Sequence, residues 1–511
     1  MGRSRQVTTL DTAGLDARLR PRDDQLVLEV ADPARSAGTG TRDARGVRVF
    51  SGAEGPFRSY ERRVSWEPEG DRHRVEESAT WQLAFPYWRR LYEPLVRRSV
   101  LRPLTRGARA WWLFPDRLSP EQSTVVAAMA LFNVVGGIIF GMLTQVTTFV
   151  SADLGDGSAS QQTTIFAVVR IGTVLTFVAL ALTDRLGRRR IALWCCWIAA
   201  VATFLTALAP SLAAFTVLQL VARNVSIAAL IAIDTIVVEE LPPGSRAMAV
   251  GLGTLAYGLG AGAPVLSLPL ADLGPGGWRL VLAVGVVAFP LIASGARHLP
   301  ESSRFRAELA DRDEAPRRRI RGTRFALLAT LFVLVNVFVA PASQLQNDYL
   351  RTERGFSGLT ITILILVTSV PGALGVMAGG RLADTRSRRW TVVPGLLATA
   401  VFGSVFYWLA GPSMWLSALL ASVLGALTIA PLGVLGAELF PTGRRGGARG
   451  ALNVVAVAGS VSGLLLAGAL TDRWGFGPAF SLLALGPLLA AACALWIPET
   501  SGQTLEELNE P

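Results

Sequence analysis

At 511 residues and 51% hydrophobic content, the chain is too long and too apolar for a single soluble domain, which points to a polytopic membrane protein. All 49 Lys+Arg positions are arginine, and they outnumber 38 acids to give a net charge of +11. Without lysine there is no phosphate loop ending in Gly-Lys-Ser/Thr and no lysine Schiff base, so a self-powered ATPase pump and Schiff-base chemistry are both excluded.

Residues 1–122, an extension at 1–80 and a juxtamembrane segment at 81–122, are polar and lack the apolar core of a signal peptide. Alternating runs at Gln25 to Val30, Gly46 to Phe50 and Tyr60 to Trp66, a Glu67-Pro68-Glu69-Gly70 turn and a further run to about Phe85 suggest strands. The alternatives are a small β-rich domain or a partly disordered tail. In residues 81–122, Tyr87, Trp88, Tyr92, Trp111, Trp112 and Phe114 interleave with Arg89, Arg90, Arg97, Arg98, Arg102, Arg106 and Arg109. Aromatics mixed with arginines beside a first membrane span read as a helix lying on an anionic leaflet, the other reading being a helix that packs on the front-end domain.

Twelve apolar stretches follow, long enough to cross about 30 Å of hydrocarbon as helices. Spans 1 to 6 are expected near 123–150, 163–183, 191–209, 212–238, 247–270 and 278–297. Spans 7 to 12 are expected near 324–347, 358–380, 390–410, 413–437, 448–471 and 476–497. The expected fold is therefore an all-α membrane protein of two six-helix halves, 123–297 and 324–497, joined by a loop at 298–323 and closed by a tail at 498–511. Arginine orients it: 21 lie in the even-numbered gaps or at the span ends that border them, and four in or at the edges of the odd gaps. This places the even gaps and both termini on the cytoplasmic side of the inner membrane, and the same distribution argues against nucleic-acid binding.

The two halves are copies of one unit. Asp184-Arg185-Leu186-Gly187-Arg188-Arg189 returns as Asp384-Thr385-Arg386-Ser387-Arg388-Arg389; Glu239, Pro242 and Arg246 return as Glu438, Pro441 and Arg445; Pro300-Glu301 returns as Pro498-Glu499. Each repeat distance is close to 200 residues, the signature of a transporter built from parallel repeats. Together with Gly277-Trp278-Arg279, Pro300-Glu301-Ser302-Ser303-Arg304 and Pro498-Glu499-Thr500-Ser501-Gly502, these motifs resemble the major facilitator superfamily, in its sugar-porter-related branch of metabolite and organic-ion transporters. The resemblance runs from about residue 123 to 505 and leaves the front end out. It implies alternating access, with Asp184, Arg188, Glu239 and Arg246 and their copies Asp384, Arg388, Glu438 and Arg445 acting as a cytoplasmic gate. Charge-assisted hydrogen bonds between such groups across the seam of the halves break when the cavity opens inward. The first copy departs from the family pattern in carrying Leu180 where the second keeps Gly380.

Ionisable residues inside spans default to function. Arg170 falls in span 2, Arg223 and Asp234 in span 4, and Asp348 near the outer end of span 7. Arg223 and Asp234 are 11 residues apart, about three turns, and share a face. Arg223 matches an arginine that sugar porters carry in span 4 and is replaced in the second half by Ser422. Proton-coupled sugar porters carry an aspartate in span 1 where this chain reads Phe140-Gly141-Met142-Leu143, which leaves Asp234 as the candidate proton carrier. Asn133, Gln145, Asn336, Gln344, Asn347 and Asn453 are the expected neutral polar lining of a cavity, and Gly251, Gly258 and Gly262, with Pro264, are expected to permit close helix packing in span 5.

Cys195, Cys196 and Cys493 make neither a disulfide framework nor a metal pattern and read as small core residues, and His73 and His298 fall outside the spans. No metal, cofactor or catalytic site is expected. The reading is a monomeric secondary transporter of a small organic solute, driven by protons; the alternatives are a drug or metabolite efflux antiporter and a non-transporting membrane sensor.

Overall fold

The computed structural model describes residues 2–36, 45–101, 112–242, 245–301, 322–385, 387–438 and 445–497. The front end is a β-domain. Strands β1 (Gly2–Leu10), β2 (Leu28–Ala31), β3 (Gly46–Glu54), β4 (Phe57–Glu69) and β5 (Arg72–Leu83) form one antiparallel sheet in the order β1-β5-β4-β3-β2. Helix α1 (Thr12–Arg18) caps one face of the sheet, its start closed by the Asp11 carboxylate accepting from the Gly14 N–H. Gly70, at φ +62°, makes the β4–β5 turn where an L side chain would be strained.

The inward face of β4 alternates Tyr60, Arg62, Val64 and Trp66, so a charge enters the core. Arg62 is 2% exposed and stays there because every part of its guanidinium is engaged. It donates to the Glu29 carboxylate at 2.7 Å, to Glu77 at 2.9 Å and to the Arg18 and Arg20 carbonyls. Burial works against the Arg62 charge, but the hydrogen bond and charge of Glu29 and the charge of Glu77 outweigh it and hold its pKa above the ordinary value. Burial, reinforced by the Glu29 charge, pushes the Tyr60 phenol up.

The sheet is followed by α2 (Arg89–Ser99) and then by the bundle. Eleven helices among the described residues are long and apolar enough to cross a membrane. Span 1, Pro120–Leu154, is the longest, and nearly all of its most apolar stretch is buried. The ninth expected span forms the helix Arg388–Val405, which opens on two arginines and is not among the eleven. Span 2 breaks at Gly172 into Ala159–Ile171 and Thr173–Leu186. Span 7 runs beyond its expected end at 347, to Glu353, because a short π-helical turn at Tyr349–Glu353 prolongs it.

The β-domain and the first half share one apolar core, in which Trp81, Phe85, Val96, Phe114 and Leu118 continue into Val125, Val126 and Met129 of span 1. Polar contacts fasten the joint. The Trp88 indole donates to the Ala127 carbonyl at 3.0 Å, the Tyr87 hydroxyl to the Ser294 carbonyl at 2.7 Å, and the Asp116 N–H to Ser245 Oγ at 3.0 Å.

The glycines expected to bring span 5 close to a neighbour do not. A Cβ added at Gly251, Gly258 or Gly262 meets nothing within 4 Å. Close approach is made instead by Gly137, whose added Cβ meets the Tyr257 carbonyl at 2.0 Å, and by Gly260, whose added Cβ meets the Val134 carbonyl at 2.0 Å. Span 1 therefore lies against a different face of span 5 from the one that carries Gly251, Gly258 and Gly262.

Candidate transport pathway

At the end carrying the β-domain, the repeated arginines tie each half to itself. Arg189 donates to the Leu299 carbonyl at 2.6 Å and the Ala296 carbonyl at 3.0 Å, and its backbone N–H to Glu301 at 3.0 Å. The Pro-Glu motif after span 6 thus holds the start of span 3. Arg389 makes the corresponding contact with the Leu495 carbonyl at 3.2 Å. Arg188 and Glu239 form an ion pair, both about nine-tenths buried. That pair joins the start of span 3 to the end of span 4 and so lies within the first half, where a contact across the seam was expected. Arg388 opens the helix after span 8. The side chains of Asp184, Arg246, Asp384, Glu438 and Arg445 lie outside the described residues, and Leu180, within span 2, packs on the apolar core of the first half.

The opposite end is where the halves meet, through a pair of carboxylates set 200 residues apart like the motifs. Asp472, at the end of span 11, accepts from the N–H groups of Ala159 and Ser160, both at 3.1 Å, at the start of span 2. Asp272, at the end of span 5, accepts from the Gly358 N–H at 2.6 Å at the start of span 8, and from the Arg351 guanidinium at 2.7 Å. Each half therefore closes the N-terminus of the other half's second helix, where unsatisfied N–H groups and the helix dipole favour an anion. Between these clasps, the Thr144 hydroxyl donates to Gln344 at 2.9 Å and the Asn347 amide to Gln145 at 2.9 Å. Gln145, Gln344 and Asn347 are thus bonded into the closed seam. Asp348 is 3% exposed beside them.

Toward the middle of the first half, Arg223 is 6% exposed, and its guanidinium lies over the Phe140 ring at 3.7 Å from the centroid. Tyr257 of span 5 stands edge-on to Phe140 at 5.8 Å and shares the electrostatic surroundings of Arg223. Arg170, in the last turn before the Gly172 break, is the other cation acting on Arg223. Among the described residues neither guanidinium forms an ion pair with a carboxylate. Asp234 accepts from the Asn133 amide at 3.4 Å. Asn336 accepts from the Ser460 hydroxyl at 3.1 Å within the second half, and Asn453 is exposed. Phe140, Tyr257, Asp272 and Asp472 were not singled out as site residues from the sequence, although the 200-residue repeat relates the two aspartates.

Two helical halves clasped at one end, with buried cations and aromatics between the helices of one of them, define the architecture of an alternating-access membrane carrier. The chain belongs to the Major Facilitator Superfamily, whose family model matches residues 123–346 and 325–510. It is a multi-pass membrane transporter of a small solute, and not an enzyme. A Bacillus subtilis (strain 168) protein named as a niacin/nicotinamide transporter, NiaP, is 24% identical over 335 residues, covering 63% of this chain and 82% of that protein. In fold the chain is similar to a D-xylose–proton symporter, with TM-score 0.63, 16% identity, and 75% and 99% of the two chains covered. It is also similar to the xylose transporter XylE from E. coli in its inward-open conformation, with TM-score 0.60, 18% identity, and 76% and 98% covered.

Proposed function

We propose that this transporter carries a small organic anion, with an aromatic monocarboxylate of the nicotinate type as the favoured class. The observation that carries the reading is the pair Arg223 and Arg170, two guanidiniums inside the spans without an acidic partner among the described residues. A charge at mid-span costs roughly 2.5–3.5 kcal/mol on insertion scales, and a desolvated cation–π contact returns about 2 kcal/mol. An anionic guest on Arg223 closes that gap, and Phe140 and Tyr257 supply faces for a flat ring. The similarity to a protein named for niacin supports the same class.

The rest of the reading follows the doubled architecture. Twelve spans cross the inner membrane, the β-domain end faces the cytoplasm in accord with the arginine bias, and the clasped end faces outward. The structure then corresponds to an inward-facing state of a monomeric carrier. Asp234, on the Arg223 side of span 4, carries the coupling proton, and Asn133 orients it. Arg188, Glu239, Arg246 and Asp184, with Asp384, Arg388, Glu438 and Arg445, serve the cytoplasmic gate.

Nicotinate and nicotinamide test the reading because they share a ring and differ in charge. Titrating each onto purified protein, with unfolding temperature as readout, is expected to show stabilisation by nicotinate and its loss in Arg223→Gln. Equal stabilisation by nicotinamide, or an unchanged response in Arg223→Gln, would overturn the assignment.

A further inference from the structure

We propose that the cavity between α2 and the edge of the β-sheet is a binding site for a soluble anion carrying two or more phosphate groups, a pyrophosphate or a nucleotide. The cavity, of about 800 Å³, lies between the start of β1 and α2, and Arg3, Arg90, Arg97, Arg98 and Trp81 line it. Arg90, Glu93 and Arg97 follow one another at intervals of three and four residues, which sets them on one side of the helix. The other side of α2 carries Trp88, Leu91 and Tyr92 toward Leu255 and Leu259 of span 5. Among the described residues no membrane span lines the arginine cavity, so what it binds comes from solution.

Two observations point to an anionic ligand. Arg3, Arg90, Arg97 and Arg98 are exposed and, among the described residues, form no ion pair, while the acid in the lining, Glu93, is engaged by Arg89 at 3.2 Å. Like charges around one opening repel one another, and an anion removes that repulsion. The forked donors of a guanidinium match phosphate oxygens in pairs, so these arginines suit two phosphates better than one.

The second observation is Trp81. It is 1% exposed, and its indole N–H has no hydrogen-bond acceptor among the described residues. Gly2 is its cross-strand partner, and a Cβ added there would meet the indole nitrogen at 2.5 Å, so glycine keeps that edge clear of a side chain. A buried donor left unmatched costs free energy that an acceptor oxygen of the ligand restores. The site also joins the sheet edge to the helix whose Trp88 donates to the Ala127 carbonyl of span 1, so an occupied cavity stiffens the link between the β-domain and the first half.

The test is isothermal titration calorimetry of full-length protein in detergent at low salt, with pyrophosphate, ATP and orthophosphate as titrants. Pyrophosphate and ATP are expected to bind at one site per chain, and orthophosphate at least about tenfold more weakly. The triple variant Arg90→Gln, Arg97→Gln, Arg98→Gln is expected to weaken binding about a thousandfold, at about tenfold per charge-assisted contact, and Trp81→Phe about fivefold through the loss of one neutral donor. The triple variant Arg63→Gln, Arg72→Gln, Arg74→Gln, on exposed positions of β4 and β5, removes the same charge elsewhere and is expected to leave binding unchanged. Equal affinity for orthophosphate, full affinity in the α2 variant or in Trp81→Phe, or the same loss in the β4–β5 variant would overturn the proposal. Displacement of bound pyrophosphate by mixed micelles of dioleoyl phosphatidylglycerol, but not of dioleoyl phosphatidylcholine, would assign the arginines to a lipid headgroup and overturn it equally.

Discussion

Removing the Asp272 and Asp472 carboxylates should release the seam that holds the two halves together. Asp472 accepts two backbone N–H groups at 3.1 Å at a helix N-terminus. Hydrogen bonds to a charged acceptor contribute about 1.5–3 kcal/mol, and the helix dipole adds about 0.3–1 kcal/mol. Partial exposure favours the low end, so Asp472→Ala should cost the closed state about 2 kcal/mol, or roughly thirtyfold in its ratio to the open state. Asp272 holds one N–H at 2.6 Å and an Arg351 guanidinium in a pair about one-third exposed on both sides. An ion pair that open to water adds at most about 1 kcal/mol, so Asp272→Ala should cost a similar total. The two clasps share no residue, and their effects should add to about 4 kcal/mol in the double variant. Spin labels at Ala213 and Ser413, exposed positions on opposite halves near that end, report the separation by pulsed electron resonance. The double variant should populate a longer distance that wild type lacks. An unchanged distribution in correctly inserted double variant would refute the clasp.

Three further outcomes follow from the same geometry. Arg62→Met should lower the stability of the β-domain by about 3–5 kcal/mol, read as an earlier unfolding transition, because it strands Glu29 in the core without its cation and leaves Glu77 with Arg18 alone. Glu239→Gln should loosen the join between spans 3 and 4, since it removes the charge from a nine-tenths buried ion pair that links them, and labelling of Cys195 or Cys196 in span 3 should accelerate. Asp234→Asn should abolish gradient-driven accumulation in liposomes while preserving solute exchange, because exchange requires no net proton movement; accumulation at the wild-type rate would remove Asp234 from coupling.

The membrane architecture was legible because long apolar runs and the 200-residue repeat are properties of sequence alone, and the family model confirms the kinship that six motifs suggested. Strands β2 to β5 were visible in alternation. Strand β1 was missed because Arg3, Arg5, Val7 and Thr9 face outward while its other face carries Ser4, Gln6 and Thr8, so no apolar alternation marks it. The burial of Arg62 and Glu77 was hidden for the converse reason: at inward positions a charged pair reads as a solvated strand until Glu29 arrives from another segment. Proximity across spans was likewise illegible, for Arg170 and Arg223 become neighbours only when span 2 packs on span 4. Gly251, Gly258 and Gly262 show the same limit, since periodicity names a shared face without naming what stands opposite.

What the duplication keeps and what it drops separates framework from chemistry. The contacts of Arg189 with the carbonyls after span 6 and of Arg389 with Leu495 recur in both halves, as do the Asp272 and Asp472 clasps. These are contacts that a two-fold rocking motion needs on both sides. Arg223 has no such twin. At the corresponding place stands Ser422, half-buried against span 8, where a Cβ added at Gly372 would meet its hydroxyl at 2.3 Å. On the proposed reading, a solute gripped by Arg223 would be held by one half and released when the other rocks away. On that reading the asymmetry would give a doubled framework a single loading site.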